Sequence, residues 1–177
     1  MKYYYYHDLT ARGRVERIYY QTTNQAGEPR TKYANVYLPH GYDDQDAAKR
    51  YNILYLMHGG GGNPDAWLDC CMVKNMLDYA FSNQLAQPMI VVFPTFYKDP
   101  VFHMGTAGAQ KAREDVLVFQ EELGRELLPA VEGRYRTFAQ DTTPEGLRAA
   151  REHRAFGGFS LGGATTWFVM PHWPEYF

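Results

Sequence analysis

Residues 158–162 of the sequence, Gly-Phe-Ser-Leu-Gly, match the pattern G-x-S-x-G. In this pattern a serine occupies a sharp turn between a strand and a helix, and the flanking glycines let the two chain segments pass closely. The helix N-terminus behind the serine offers free N–H groups to an oxyanion that develops during acyl transfer. The pattern predicts Ser160 as a nucleophile and the N–H of Leu161 as an oxyanion donor. A structural glycine-rich turn is the alternative.

A second glycine-rich segment, His58–Gly62, follows an apolar run earlier in the chain. A glycine run lets backbone N–H groups face a bound ligand, as in the HGGG-type oxyanion holes of esterases. We expect the Gly60 N–H to be the second oxyanion donor and His58 to be a structural hydrogen bonder rather than the general base. A flexible loop before a helix is the alternative. A nucleotide site is disfavoured, because neither G-x-G-x-x-G with a following acid nor G-K-[ST] occurs.

A nucleophilic serine in this arrangement needs an acid and a histidine that follow it in the sequence. After Ser160 the printed sequence has only His172 and Glu175 for these roles. If Leu161–Met170 is helical, His172 lies roughly 16 Å beyond the serine, at about 1.5 Å per residue along the axis. That separation exceeds hydrogen-bond reach, so His172 is not expected to be the base.

Two histidines before Ser160 have other expected roles. His103 lies in a loop after the second predicted parallel strand, where it could line the pocket. His153 begins the strand that leads to Ser160, so it should lie at the opposite end of the sheet and be structural. The sequence therefore predicts a nucleophile and an oxyanion hole without their base.

The elements that must position these residues follow from hydrophobic patterning. Two alternating segments, Arg14–Thr23 and Lys32–Leu38, predict an antiparallel hairpin. After the hairpin, apolar runs typical of strands buried on both faces alternate with helical patterns. This alternation predicts an α/β fold in which a parallel sheet carries helices on both faces, as one domain over residues 1–177. The predicted strands are Tyr51–His58, Pro88–Thr95 and His153–Ser160, and the predicted helices are Pro64–Gln84, Ala109–Glu132 with a kink near Pro129, a segment starting near Thr142, and Leu161–Met170.

Composition excludes several classes of partner. The 18 basic and 20 acidic residues give a net charge of −2 without a basic run, so nucleic acid is not an expected partner. No apolar stretch has the length of a membrane span, and the N-terminus lacks the apolar region of a signal peptide. The adjacent Cys70 and Cys71 lack further ligands at zinc-site spacing and are expected to be small helix residues. No metal or cofactor is predicted.

Four segments in this order resemble the feruloyl esterase and acetyl-xylan esterase branch of the α/β-hydrolases: VYLPHGYD, YNILYLMHGGGGNPDAW, PMIVVFPT and REHRAFGGFSLGG. This branch includes carbohydrate esterase family one and the esterase D-like proteins, and the resemblance runs from about Val36 to the last residue. It implies an α/β-hydrolase fold and ester hydrolysis through an acyl-serine. Ser160 matches the family nucleophile, and the loop Gly59–Gly61 with Leu161 matches its oxyanion hole. Trp67 matches an aromatic residue after the glycine loop.

The resemblance implies release of ferulate or a related acyl group from plant cell-wall polysaccharide. The alternatives are a small-acyl or thioester hydrolase of the esterase D type, and an inactive fragment or binding module that keeps the first half of the fold. The family's secreted members favour an extracellular location.

In the family the acid and the histidine lie after later strands. We therefore expect residues 1–177 to be the N-terminal portion of a larger hydrolase. The missing C-terminal segment would then be its partner. Without later strands, the RAFGGF strand would be an exposed edge.

Overall fold

Five strands form one mixed sheet in the computed structural model, which describes residues 9–24, 26–98 and 105–177, without the side chains of 105–107. The strands are β1 (Arg14–Thr23), β2 (Pro29–Leu38), β3 (Ile53–Met57), β4 (Ile90–Phe93) and β5 (Arg154–Gly158). The helices are α1 (Ala66–Asp69), α2 (Val73–Ser82), α3 (Gly105–Glu122), α4 (Leu128–Glu132), α5 (Pro144–Ala149) and α6 (Leu161–His172).

The strand order is β1-β2-β4-β3-β5. The hairpin β1–β2 is antiparallel, β2 also pairs antiparallel with β4, and β3 is parallel to both β4 and β5. This topology confirms the predicted hairpin followed by parallel strands. Met57 pairs with Gly158, so the segments that follow β3 and β5 leave the same edge of the sheet side by side.

Helices cover both faces of the sheet, as predicted. On one face, residues of α3, the following turn, α4 and α6 pack on the strands around the fully buried Phe119, Leu123 and Val169. On the other face, Leu77 and Phe81 of α2 pack against a smaller cluster, formed by Tyr37, Val91 and Phe93. Burial from both sides explains why β3 and β4 are nearly continuous apolar runs.

The predicted helix Pro64–Gln84 is two helices, because the chain turns at Cys70–Met72. Met72 has a left-handed backbone (φ 49°), which ends helical hydrogen bonding and redirects α2. Cys70 and Cys71 lie in this turn as exposed free thiols. The prediction that they are helix residues is therefore wrong.

The kink expected near Pro129 is a π-helical turn, Leu123–Leu127, that joins α3 to α4. Pro129 lacks an N–H, and a widened turn is one way for a helix to absorb that loss. Trp173 packs on Gly124 inside this turn, where any side chain would collide with the indole. The indole Nε1 donates to the Gln120 carbonyl at 2.7 Å, which attaches the segment after α6 to α3.

A fully buried ion pair anchors the beginning of β5. Arg154 donates to both carboxylate oxygens of Glu132, at 2.6 and 2.9 Å. The Tyr55 hydroxyl donates to the same carboxylate at 3.1 Å, and Arg154 also donates to the carbonyls of Leu147 and Tyr176. The pair therefore connects β3, α4, β5 and the segment after α6. Within the described ranges, no helix combines the length and hydropathy that a bilayer crossing requires.

Candidate active site

Ser160 lies at the turn between β5 and α6 in a strained backbone conformation. Its φ of 54° and ψ of −118° are sparsely populated by residues that carry a Cβ atom. Such strain costs on the order of 1–3 kcal/mol and persists only where the surrounding structure enforces it. The strand, turn and helix predicted from G-x-S-x-G are thus present around this serine.

Two glycines allow the close packing that enforces this turn. A Cβ atom on Gly158 would lie 2.5 Å from the carbonyl carbon of Gly162. A Cβ atom on Gly162 would lie 2.5 Å from the carbonyl oxygen of His58 and 2.6 Å from that of Met57. The end of β3 therefore packs directly on the first turn of α6, and only glycine fits at either position.

The glycine loop after β3 keeps one N–H group available. Gly62 N–H donates to the Gly59 carbonyl at 3.1 Å, and Gly61 N–H donates to the Tyr97 hydroxyl at 2.8 Å. No hydrogen bond within the described part of the chain uses the N–H of Gly60. Gly60, the residue predicted as oxyanion donor, is thus held between two bonded neighbours with its own N–H free.

A second free N–H lies at the start of α6. Gly162 N–H donates to the Phe159 carbonyl at 2.9 Å, whereas the N–H of Leu161 has no hydrogen-bond partner among the described residues. A Cβ atom on Gly60 would lie 2.9 Å from Cδ1 of Leu161, so the loop and the helix start are in contact. The two predicted donors therefore belong to segments that touch each other next to Ser160.

A cleft of about 280 Å³ opens beside the glycine loop. Its wall brings together predicted and unpredicted residues, namely His58, Gly59–Gly62, Ala66, Trp67, Cys70, Cys71 and Phe159. A Cβ atom on Gly59 would lie 3.3 Å from Cβ of Ser160, so the cleft begins next to the serine. Sequence reasoning missed Phe159, a residue that is 66% exposed. Its place directly before the serine was the available signal.

His58 is a buried structural residue, in agreement with the prediction. Its Nδ1–H donates to the Gly59 carbonyl at 2.7 Å, and its Nε2 accepts from the Thr95 hydroxyl at 2.8 Å. We assign this tautomer because a carbonyl can only accept. Burial is the main cause that lowers the pKa of His58 to about 4, and the nearby charge of Lys32 acts in the same direction. The ring is neutral at neutral pH, and both nitrogens are occupied.

We expect His58 to make folding stability depend on pH. Between the unfolded pKa of 6.5 and the folded value of about 4, the unfolded chain binds a proton that the folded chain does not. The contribution of His58 is therefore complete above about pH 6.5, and about 3 kcal/mol is lost as the pH falls to about 4. Urea denaturation of wild type and His58→Asn at several pH values measures this difference. Parallel pH dependences in the two proteins would contradict it.

The other candidate partners of Ser160 lie elsewhere. His172 occupies the last turn of α6, with Nε2 2.8 Å from a carboxylate oxygen of Glu121. His153 stacks on Phe138 before β5 begins, and its Nδ1 lies 2.8 Å from the side-chain oxygen of Asn52. Glu175 lies in the turn after α6, and His103 lies outside the described residues. His153 and His172 are thus bonded to other side chains, as His58 is bonded to Gly59 and Thr95.

Comparison with known proteins matches residues 26–177 to the model of an esterase family, described as "Putative esterase". The chain is 45% identical over 147 residues to endo-1,4-beta-xylanase Y from Acetivibrio thermocellus, covering 82% of this chain and 12% of that protein. It is 32% identical over 146 residues to an endo-1,4-beta-xylanase/feruloyl esterase from Xylanibacter ruminicola, covering 81% of this chain and 18% of that protein.

Similar solved structures include the feruloyl esterase module from Clostridium thermocellum, determined as a serine-to-alanine mutant with sinapinate. It has a TM-score of 0.79 and 39% identity, over 99% of this chain and 55% of the module. A CE1 ferulic acid esterase from Anaeromyces mucronatus shares the fold at a TM-score of 0.69 and 22% identity, over 96% of this chain and 57% of that one. The chain spans about half the length of these structures, and the predicted α/β-hydrolase fold is confirmed. The chain belongs to the esterase family whose model matches residues 26–177.

Proposed function

We propose that the protein is a serine carboxylic-ester hydrolase. The observation that carries this proposal is the position of Ser160, on a strained turn that packs against the glycine loop, where the N–H groups of Gly60 and Leu161 have no partner among the described residues. The hydroxyl gives its proton to the general base and attacks the ester carbonyl, and the two N–H groups stabilise the oxyanion. The bond to the alcohol then breaks, the alcohol leaves with that proton, and an acyl-serine remains. Each such donor typically contributes about 3 kcal/mol to transition-state stabilisation. Water then attacks the acyl-serine and releases the acid.

The acyl group that we propose is ferulate or a related hydroxycinnamate, esterified to plant cell-wall polysaccharide. The names of the relatives, which join xylanase and feruloyl esterase, support this class. The cleft supports it independently, since Trp67 and the exposed Phe159 offer flat apolar surfaces along its wall. Gly59 and Gly61 would contact the substrate through backbone atoms, since glycine has no side chain. At Gly61 the N–H is not available for this contact, because it donates to the Tyr97 hydroxyl.

We infer that the general base and its acid partner come from outside the described residues. His58, His153 and His172 are each held away from this role by their contacts. The outer edge of β5 has no strand beside it in the described part of the chain, and Trp167 on α6 is 81% exposed. An open edge and an apolar helix face are surfaces that further strands of the same polypeptide would cover.

Comparison of three substrates in the full-length protein tests the proposal. We expect kcat/KM for methyl ferulate to exceed that for an acetylated xylan and for S-formylglutathione by about tenfold or more, since burial of one aromatic ring contributes more than 1.4 kcal/mol. Trp67→Ala should reduce this preference, while hydrolysis of a small acetyl ester serves as the internal control.

A preference for S-formylglutathione would instead indicate the esterase D type of activity. Absence of both hydrolysis and fluorophosphonate labelling would indicate a non-catalytic module.

A further inference from the structure

A chain of hydrogen bonds connects the end of β4 to the glycine loop. The Thr95 hydroxyl donates to Nε2 of His58 and accepts from the N–H of Tyr97, at 2.8 and 3.2 Å. His58 in turn donates to the Gly59 carbonyl, and the Tyr97 hydroxyl accepts from Gly61 N–H. The loop is therefore held at two points, one on each side of the residue that carries the free N–H.

We propose that Tyr97 and Thr95 are positioning residues of the oxyanion hole, which hold the glycine loop so that the Gly60 N–H and the Leu161 N–H point at one oxygen. This inference rests on the proposed function of Ser160 as nucleophile. Neither side chain is assigned a contact with the reacting atoms. They act through the backbone of the loop.

The loop needs such support because its own conformational restraints are weak. Four consecutive glycines have more backbone freedom than any other residue type would allow. Gly61 adopts a φ of 78°, and within the described chain the loop has one internal hydrogen bond, from Gly62 N–H to Gly59. A displacement of about 1 Å in a catalytic group can cost as much as a hundredfold in rate. Holding Gly59 and Gly61 therefore restricts Gly60 where precision matters.

The Tyr97 ring packs against two aromatic neighbours. The Tyr97 ring stacks on the His58 ring, with 5.7 Å between the ring centroids and an interplanar angle of 23°. The centroid of the Phe96 ring lies 4.5 Å from that of Tyr97. These ring contacts favour the orientation in which the Tyr97 hydroxyl reaches Gly61.

The backbone at Thr95 is anchored by buried charges. Lys32 Nζ donates to the Thr95 carbonyl at 2.7 Å and to the Glu122 carboxylate at 2.6 Å. Lys98 lies 3.1 Å from the same carboxylate. Removal of one hydroxyl from this assembly should consequently affect the glycine loop more than the surrounding core.

Tyr97→Phe in the full-length protein tests the proposal, with methyl ferulate as substrate. This change removes one hydroxyl and keeps the stacked ring. An oxyanion donor acts mainly in the transition state, so we expect kcat to fall about tenfold and KM to stay within about twofold of wild type. Binding of an aryl boronic acid, which forms a tetrahedral adduct with a serine, should weaken by the same factor as kcat. Binding of the product ferulate should not change.

Tyr42→Phe is the matched control, because the Tyr42 hydroxyl also accepts from a backbone N–H, that of Arg136, at 3.0 Å. It should leave kcat unchanged. Thr95→Val should reproduce the loss of kcat, and Thr95→Ser, which keeps the hydroxyl, should restore it. This pair decides the question if Tyr97→Phe folds poorly.

The proposal is overturned if Tyr97→Phe retains wild-type kcat, or if Tyr42→Phe lowers kcat by as much as Tyr97→Phe does. Ser160→Ala separates this outcome from failure of the proposed function. If Ser160→Ala abolishes hydrolysis while Tyr97→Phe does not lower kcat, only the positioning role is wrong. If Ser160→Ala retains hydrolysis, the nucleophile assignment is wrong.

Discussion

Replacement of Ser160 by alanine is expected to lower kcat toward methyl ferulate by about a millionfold, the scale seen when a hydrolase loses its nucleophile. Alanine lacks the attacking hydroxyl but carries the same Cβ atom, so it experiences the same backbone strain at φ 54°. The fold should therefore be unchanged. Steady-state hydrolysis, together with labelling of the protein by a fluorophosphonate, measures the effect.

Two matched variants make this result specific. Ser82 is the other serine in the sequence, it donates to the Ala11 carbonyl, and Ser82→Ala should keep full activity and labelling. Ser160→Gly should be as inactive as Ser160→Ala. Its free energy of unfolding should exceed that of Ser160→Ala by about 1 kcal/mol, because glycine adopts a positive φ without strain. Retention of more than a few per cent of wild-type kcat in Ser160→Ala would exclude an acyl-serine mechanism at this residue.

Replacement of Arg154 by methionine is expected to lower the free energy of unfolding by about 3–5 kcal/mol, because it leaves the buried Glu132 carboxylate without its partner. Arg154 is also the donor to two backbone carbonyls, of Leu147 and Tyr176. The loss should appear in urea denaturation as a lower midpoint. It should also loosen β5, which carries Ser160 at its far end.

A surface ion pair provides the control. Arg125 pairs with Glu121 at 2.9 Å, but their side chains are 71% and 43% exposed, so Arg125→Met should cost about 0.5 kcal/mol or less. The double variant Glu132→Leu/Arg154→Met should be more stable than Arg154→Met alone, since no unpaired charge remains buried. Equal effects of Arg154→Met and Arg125→Met would mean that the buried pair does not anchor β5.

The parts of the site that sequence reasoning predicted are those encoded by local pattern. The turn at Ser160 depends on glycines within two positions of it, and β3 and β4 are apolar because helices cover both of their faces. The break of the predicted helix at Met72 was not predictable from periodicity, since a single left-handed residue changes the direction of a helix without changing its spacing of apolar side chains.

Long-range partners also escaped prediction, because nothing in local pattern encodes them. Tyr97 meets Gly61 only after β4 has taken its place beside β3. Arg154 did leave a signal, since a charge within an apolar strand requires a buried partner. The sequence did not reveal that Glu132 would be that partner, because α4 approaches β5 only in the folded sheet.

The pairing of Met57 with Gly158 also concerns how the protein folds, because it joins residues about 100 positions apart. Contacts between such distant segments form slowly, since the chain must lose entropy before any contact compensates for it. Ser160 reaches the glycine loop only once β5 has joined β3. Reactivity of Ser160 during refolding would therefore report the pairing of β5 with β3. The extent of labelling by a fluorophosphonate added at successive refolding times would measure the rate of that step.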